Sequence, residues 1–173
     1  VEPDLPRGVN YAVMRPWRPV KDTIVYNQGI MIDSLAQAII NRRLEARARG
    51  GGSFLFAQVN QEKLNRSTDA TFVSITPLTE DWKQALTDVR AVIADAMAEP
   101  PTEEEIAREV AEFSVAFESG VEQRRLLAGS KLADDMVTAL DINETIASPE
   151  TVLSIFRQSV PLFTPQVVLE HTR

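Results

Sequence analysis

Apolar residues recur at three- and four-residue steps through Ile32, Leu35, Ala36, Ile39, Ile40 and Leu44, which puts them on one helical face. The turns that follow, Asn41 to Arg49, are polar and mostly basic. Positive charge there opposes the negative end of the helix macrodipole. Gly50, Gly51 and Gly52 predict the stop, because glycine takes the left-handed cap conformation without a Cβ clash. The period then changes. Phe54 to Val59 is aromatic-rich and Thr71 to Thr76 alternates with β-branched residues, so both read as strands. Asn60 to Asp69 reads as a polar connection between them, long enough for antiparallel pairing.

The flanking pattern fills in the rest. Val9 to Met14 suits a further strand, which Arg15-Pro16 is expected to stop. Asp22 or Thr23 can cap the long helix, and Gly29 allows it a bend. After the strands, Thr79 is a candidate N-cap for a helix whose stripe is Trp82, Ala85, Leu86, Val89, Ile93, Ala96 and Met97. Pro100-Pro101 ends it. Thr102 and Glu105 form a capping box for a helix carrying Ile106, Val110, Phe113 and Phe117, with a possible interruption at Ser119-Gly120. Val121 to Leu140 resumes with Leu127, Leu132, Met136, Val137 and Leu140. Ser148-Pro149 and Thr164-Pro165 each pair an N-cap with proline at the first helical position. The first of these helices carries Val152, Ile155, Phe156 and Val160.

This pattern predicts an α+β fold: a small antiparallel sheet with amphipathic helices packed on it and a helix-rich C-terminal half. It reads as a single domain, with residues 1–8 a loose lead-in, 9–99 a strand-helix-strand-strand-helix core and 102–173 the helical part. The 173 residues are 44% apolar, enough for a core. A net charge of −7 argues against general nucleic-acid binding, which needs a basic field. No run approaches the ~18 apolar residues of a membrane span. The chain starts at Val1 rather than Met, so it is expected to be excised or processed from something longer.

Candidate chemistry is sparse. With no cysteine and only His171, the ligands for a zinc site are lacking. His171 reads as a solvated side chain on a terminal helix. Glu103-Glu104-Glu105 reads as the acidic start of a helix rather than a metal or acid–base cluster. Gly50-Gly51-Gly52-Ser53 lacks the Gly-Lys-Ser/Thr ending and the preceding strand of a phosphate loop. No Gly-x-Ser-x-Gly elbow accompanies the serines. Arg42, Arg43, Arg47 and Arg49 are the only concentrated positive charge, and they read as a solvated helix end. No catalytic and no metal-binding residue is assigned.

Several segments, in order, resemble the pitrilysin/insulinase-type zinc peptidases. They are Asn41-Arg42-Arg43-Leu44-Glu45, Phe54-Leu55-Phe56-Ala57, Asn65 to Thr71, Val73 to Pro77, Trp82 with Ala85-Leu86, and Thr102 to Ile106. The resemblance runs from about Val9 to the C-terminus. Bacterial members of that family are often long chains of four related α+β domains, and this one is similar to the second. The resemblance implies a non-catalytic domain that supports a neighbouring zinc domain and helps enclose peptide substrates. Zinc would belong to the parent's catalytic domain, since the family's His-x-x-Glu-His helix does not occur here. The parent would be a metallopeptidase, periplasmic by analogy with bacterial members, and this chain alone would not be catalytic. Its partners would be the neighbouring domains, with self-association of the isolated chain through surfaces they normally cover. Some domains of the family hold substrate with an arginine and, seven residues on, a tyrosine past the glycine turn. Arg49 and Phe56 stand at that spacing, and Phe56 lacks the hydroxyl. The alternative is an inactive structural or assembly subunit of the same fold family.

Overall fold

The computed structural model describes residues 8–64, 67–126, 129–141 and 145–173. Helix α1 (Ile24–Arg49) begins at Thr23, whose hydroxyl accepts the Tyr26 amide at 3.2 Å. Asp22, the other cap candidate, accepts instead from the Asn27 side chain and from the Thr145 amide. The helix continues through Gly29 without interruption, and all six residues of the predicted stripe are buried.

Strands β1 (Val9–Pro16), β2 (Phe54–Leu64) and β3 (Thr68–Pro77) form one antiparallel sheet in the order β1-β3-β2. The strands are longer than the apolar pattern. Asn60 to Leu64 continues β2 and Thr68-Asp69 opens β3, where a polar connection was expected. Pairing satisfies backbone N–H and C=O groups whatever the side chains are, so a polar stretch can extend a ladder past the core. Likewise Arg15 and Pro16 stay in β1, paired with Asp69 and Thr68. A proline is tolerated there because β1 is an edge strand.

Helix α2 (Trp82–Ala98) is capped by Asp81, which accepts the Gln84 amide at 3.1 Å, rather than by Thr79. The Thr79 hydroxyl accepts the Asp81 amide at 3.3 Å and so shapes the turn before the cap. Ala85, Val89 and Ala96 are buried, whereas Trp82 and Met97 at the ends of the predicted stripe are exposed. Helix α3 (Glu103–Gln123) opens on the full capping box and runs through Ser119-Gly120. A 3-10 turn (Arg124–Leu126) precedes α4 (Gly129–Asp141). Leu127 and the Leu132 side chain lie outside what is described. Helices α5 (Pro149–Ser159) and α6 (Pro165–Thr172) begin at Ser148 and Thr164, as their sequence signals indicate. The buried face of α5 is turned slightly from the expected stripe, onto Leu153 and Phe156.

Two apolar cores share α1. Ile40 and Leu44 pack with Phe54, Ala57, Val59, Val73 and Ile75 of the sheet and with Ala85 and Val89 of α2. One turn and more toward the N-terminus, Ile32, Leu35, Ala36 and Ile39 pack with Ile106, Phe156, Phe163 and Val168. Phe113, Phe117, Phe156 and Phe163 add edge-on and tilted ring contacts at 4.9–6.4 Å in this second core. Among the described residues the fold is α+β, with a three-stranded antiparallel sheet and six α-helices.

Candidate functional site

The resemblance places interest at the turn between α1 and β2. Of its three glycines only Gly51 takes a left-handed conformation, at φ +90°. Gly50, expected to share that role, has φ −80°. Gly52 is required for a different reason: its amide bonds the Arg47 carbonyl at 2.9 Å, and an added Cβ would lie 2.8 Å from that oxygen. The chain therefore turns tightly against the end of α1.

Asp88 of α2 locks this turn. One carboxylate oxygen accepts from the Ser53 amide and hydroxyl at 3.0 and 3.1 Å, and the other accepts Arg47 Nε at 2.7 Å. Burial alone would raise the Asp88 carboxyl. The Arg47 guanidinium and the two Ser53 donors outweigh burial and hold it below the ordinary carboxylate range.

Arg49 and Phe56 flank the locked turn. The Arg49 side chain is 67% exposed and pairs one helical turn back with Glu45 at 3.0 Å. Phe56 is 53% exposed. A register shift between Phe54 and Phe56 precedes the inward Ala57 and Val59, so Phe56 lies on the sheet face away from the helices. Among the described residues no hydrogen bond, ion pair or cation–π contact joins Arg49 to Phe56. Arg49 and Phe56 are thus both exposed at this turn, and Arg49 is engaged with Glu45.

The other arginines are not the solvated helix end that their sequence positions imply. Arg43 makes a two-bond fork with Glu105 at 2.7 and 2.8 Å. Arg42 bonds Glu109 at 2.9 Å and Glu112 at 2.6 Å. These pairs clamp α1 to α3, as Arg47 clamps it to α2. The Glu109 side chain is only 4% exposed. The Arg43 hydrogen bonds bring the Glu105 carboxyl down to about 2, and the Thr102 amide reinforces the shift. Glu105 thus serves the helix cap and the interhelical clamp together. Asp88 and Glu109 escaped the sequence reading, although each carried a signal. Asp88 follows Ala85 by three residues and Glu109 follows Ile106 by three, so both acids sit on otherwise apolar helical faces. A charge in that position needs a partner.

His171 is not free in solvent. Its Nδ1 lies 2.7 Å from an Asp33 carboxylate oxygen, which ties α6 to α1, and Val168 and Leu169 of the same helix are buried.

The sequence matches no family model and no curated protein. Solved structures do match. The periplasmic protease PqqL from Escherichia coli superposes with a TM-score of 0.84 at 16% identity, over 95% of this chain and 18% of that one. The fold is that of insulinase-type peptidase domains. A predicted insulinase family protease from Yersinia pestis gives a TM-score of 0.79 at 10% identity, over 95% of this chain and 36% of that one. A peptidase M16 inactive domain from Pseudomonas fluorescens gives 0.64 at 13% identity, over 94% and 37%. The chain thus spans about a fifth to somewhat over a third of the length of these three structures. At these identities the likeness is one of fold. The zinc that such a fold brings to mind does not fit the residues present. The one histidine is paired to Asp33, there is no cysteine, and no three metal-ligating side chains converge among the described residues. No described helix is long and apolar enough to cross a membrane.

Proposed function

We propose that residues 1–173 are a non-catalytic domain of a bacterial, periplasmic zinc metallopeptidase, bracing the neighbouring zinc domain and forming part of the wall around a peptide substrate. The observation that carries this reading is the superposition of nearly the whole chain on a fraction of a periplasmic protease, at a TM-score of 0.84. Two features support it. One histidine and no cysteine make a poor donor set for zinc, so in this reading peptide hydrolysis rests with another domain. The sheet face turned away from the helices is mixed, with Phe72 paired to Ala12 and Asn60, and Phe56 to Thr76, so it offers both apolar and hydrogen-bonding side chains to an extended peptide. By the resemblance Arg49 and Phe56 stand at the spacing of a substrate-holding pair, but phenylalanine offers no hydroxyl to a tetrahedral intermediate and Arg49 pairs with Glu45, so in this reading the pair does not carry the holding step.

The test compares the complete parent protein with residues 1–173. After dialysis the parent should retain one equivalent of zinc and cleave a quenched peptide in a chelator-sensitive way. The 173-residue chain should do neither. One zinc retained by the short chain, or cleavage by it, overturns the non-catalytic assignment. A folded parent with neither zinc nor activity decides for the structural or assembly subunit instead.

A further inference from the structure

Helix α2 and strand β1 frame an open groove of about 580 Å³, lined by Val9 and Tyr11 of β1 and by Leu86, Arg90, Ile93 and Met97 of α2. Its walls are apolar except for the Arg90 guanidinium and the Tyr11 hydroxyl. Among the described residues neither group makes a hydrogen bond or an ion pair. Arg42, Arg43 and Arg47, by contrast, all reach acids on other helices. Arg90 is near enough to Tyr11 to act on it. Burial pushes the Tyr11 hydroxyl above its ordinary value, and the Arg90 charge opposes that shift without cancelling it. The phenol therefore stays protonated and can donate. Two unmatched donors in an otherwise apolar groove call for an acceptor, and a guanidinium favours a charged one.

Arg90 lies in the middle of this helix face, not at its end. Leu86 stands one turn before it and Ala94 one turn after, each ~6 Å away along the axis. Side chains two residues apart in an extended chain point the same way and stand ~6.6 Å apart. A carboxylate at the end of an aliphatic tail would leave one side of Arg90 unfilled, whereas an extended peptide fills both. We infer that the groove binds an extended peptide segment in which an aspartate or glutamate has an apolar residue two positions to either side. The carboxylate meets Arg90 and the Tyr11 hydroxyl. One apolar side chain meets Leu86 and Val9, the other Ile93 and Met97. This deepens the proposed function by naming a class of substrate sequence, and rests on that reading for calling the peptide a substrate.

The probe is dye-labelled Leu-Ser-Glu-Ser-Leu with blocked ends, beside its glutamine and lysine counterparts, in fluorescence anisotropy with residues 1–173 and with the complete parent. The glutamate peptide should bind both proteins about tenfold more tightly than the glutamine peptide, and the lysine peptide more weakly still. Arg90→Glu should invert the order, and Tyr11→Phe should weaken the glutamate peptide about threefold. Should Arg90→Glu fail to fold, Arg90→Gln takes its place and should bind the glutamate and glutamine peptides alike. Decanoate should not displace the glutamate peptide. Equal affinities for the three peptides, or a preference that the Arg90 variants leave unchanged, overturn the inference. Displacement by decanoate overturns the extended-peptide assignment. Selective binding by residues 1–173 but not by the parent makes the groove an internal surface of the parent and overturns its role with substrate. Zinc content and cleavage by the parent are read separately. An active, zinc-loaded parent without the peptide preference removes this inference alone. A parent with the preference but neither zinc nor activity removes the proposed function, and with it the substrate role, while the acidic-peptide selectivity of the groove stands.

Discussion

Ile32, Leu35, Ile39 and Leu44 of α1 are buried between two cores, whereas Met136, Val137 and Leu140 of α4 remain exposed. Both helices carry a regular apolar stripe. The stripe shows which face prefers to leave water, but its burial depends on what the rest of the molecule brings to it. Around α1 stand the sheet and α2 on one side and α3, α5 and α6 on the other. Charges follow the same division. Arg42, Arg43 and Arg47 reach acids on other helices, while Lys131 and Asp135 of α4 pair within their own helix at 3.0 Å.

Core truncation should separate the two regions most widely. Leu35→Ala and Leu44→Ala, one in each core and both fully buried, should each cost about 3 kcal/mol in urea unfolding. Val137→Ala should cost under ~0.5 kcal/mol. If Val137→Ala matches the leucines, α4 is packed in solution and the contrast fails. If Leu35→Ala and Leu44→Ala produce two separate transitions, the two cores are not one cooperative unit.

The ion pairs offer a finer contrast. Asp88→Ala leaves Arg47 and two Ser53 donors without an acceptor, and should cost about 2 kcal/mol by the same measurement. Asp135→Ala removes an exposed pair one helical turn long and should cost a few tenths of a kcal/mol. Similar losses for the two would mean that the turn before β2 is held by its glycines alone.

Acid should weaken the interhelical clamps. The Glu105 carboxyl is depressed to about 2 in the folded chain, below its ordinary value near ~4.3. A depressed carboxyl stabilises the fold above the unfolded value and loses that contribution as pH falls through the folded one. Stability measured from pH ~4.5 down to ~2 should therefore drop by ~1–2 kcal/mol on account of Glu105, after allowance for its partial exposure. Asp88 adds a loss of the same sign. Glu105→Gln should flatten this part of the pH profile, and an unchanged slope would remove the Arg43–Glu105 clamp from the account.

The smallest effect is expected at Arg49. Its partner is the exposed Glu45, so Arg49→Ala should cost only a few tenths of a kcal/mol and leave kcat/KM of the intact parent unchanged. A substantial fall in kcat/KM in a folded variant would instead make Arg49 a substrate-positioning residue.

The local signals were legible because they act within one turn of chain. Thr23, Ser148 and Thr164 start helices, Thr102 and Glu105 form a reciprocal cap, and the α1 stripe is buried residue for residue. The alternation of Val73 and Ile75 also sets which face of β3 meets the helices. The same sequence carries the spacing of Arg49 and Phe56, and its single histidine and lack of cysteine leave few nitrogen and no sulfur donors for zinc.

Tertiary structure decided the rest. Arg42 and Glu109 are 67 residues apart, Arg43 and Glu105 are 62, and Arg47 and Asp88 are 41. No local rule joins such pairs, because they meet only after α2 and α3 have docked on α1. Docking likewise determined that Trp82 and Met97 lie outside the core, that β2 and β3 extend beyond their apolar residues, and that His171 meets Asp33. Helix period and cap chemistry are properties of neighbouring residues. Burial and charge pairing depend on what distant parts of the chain place beside them.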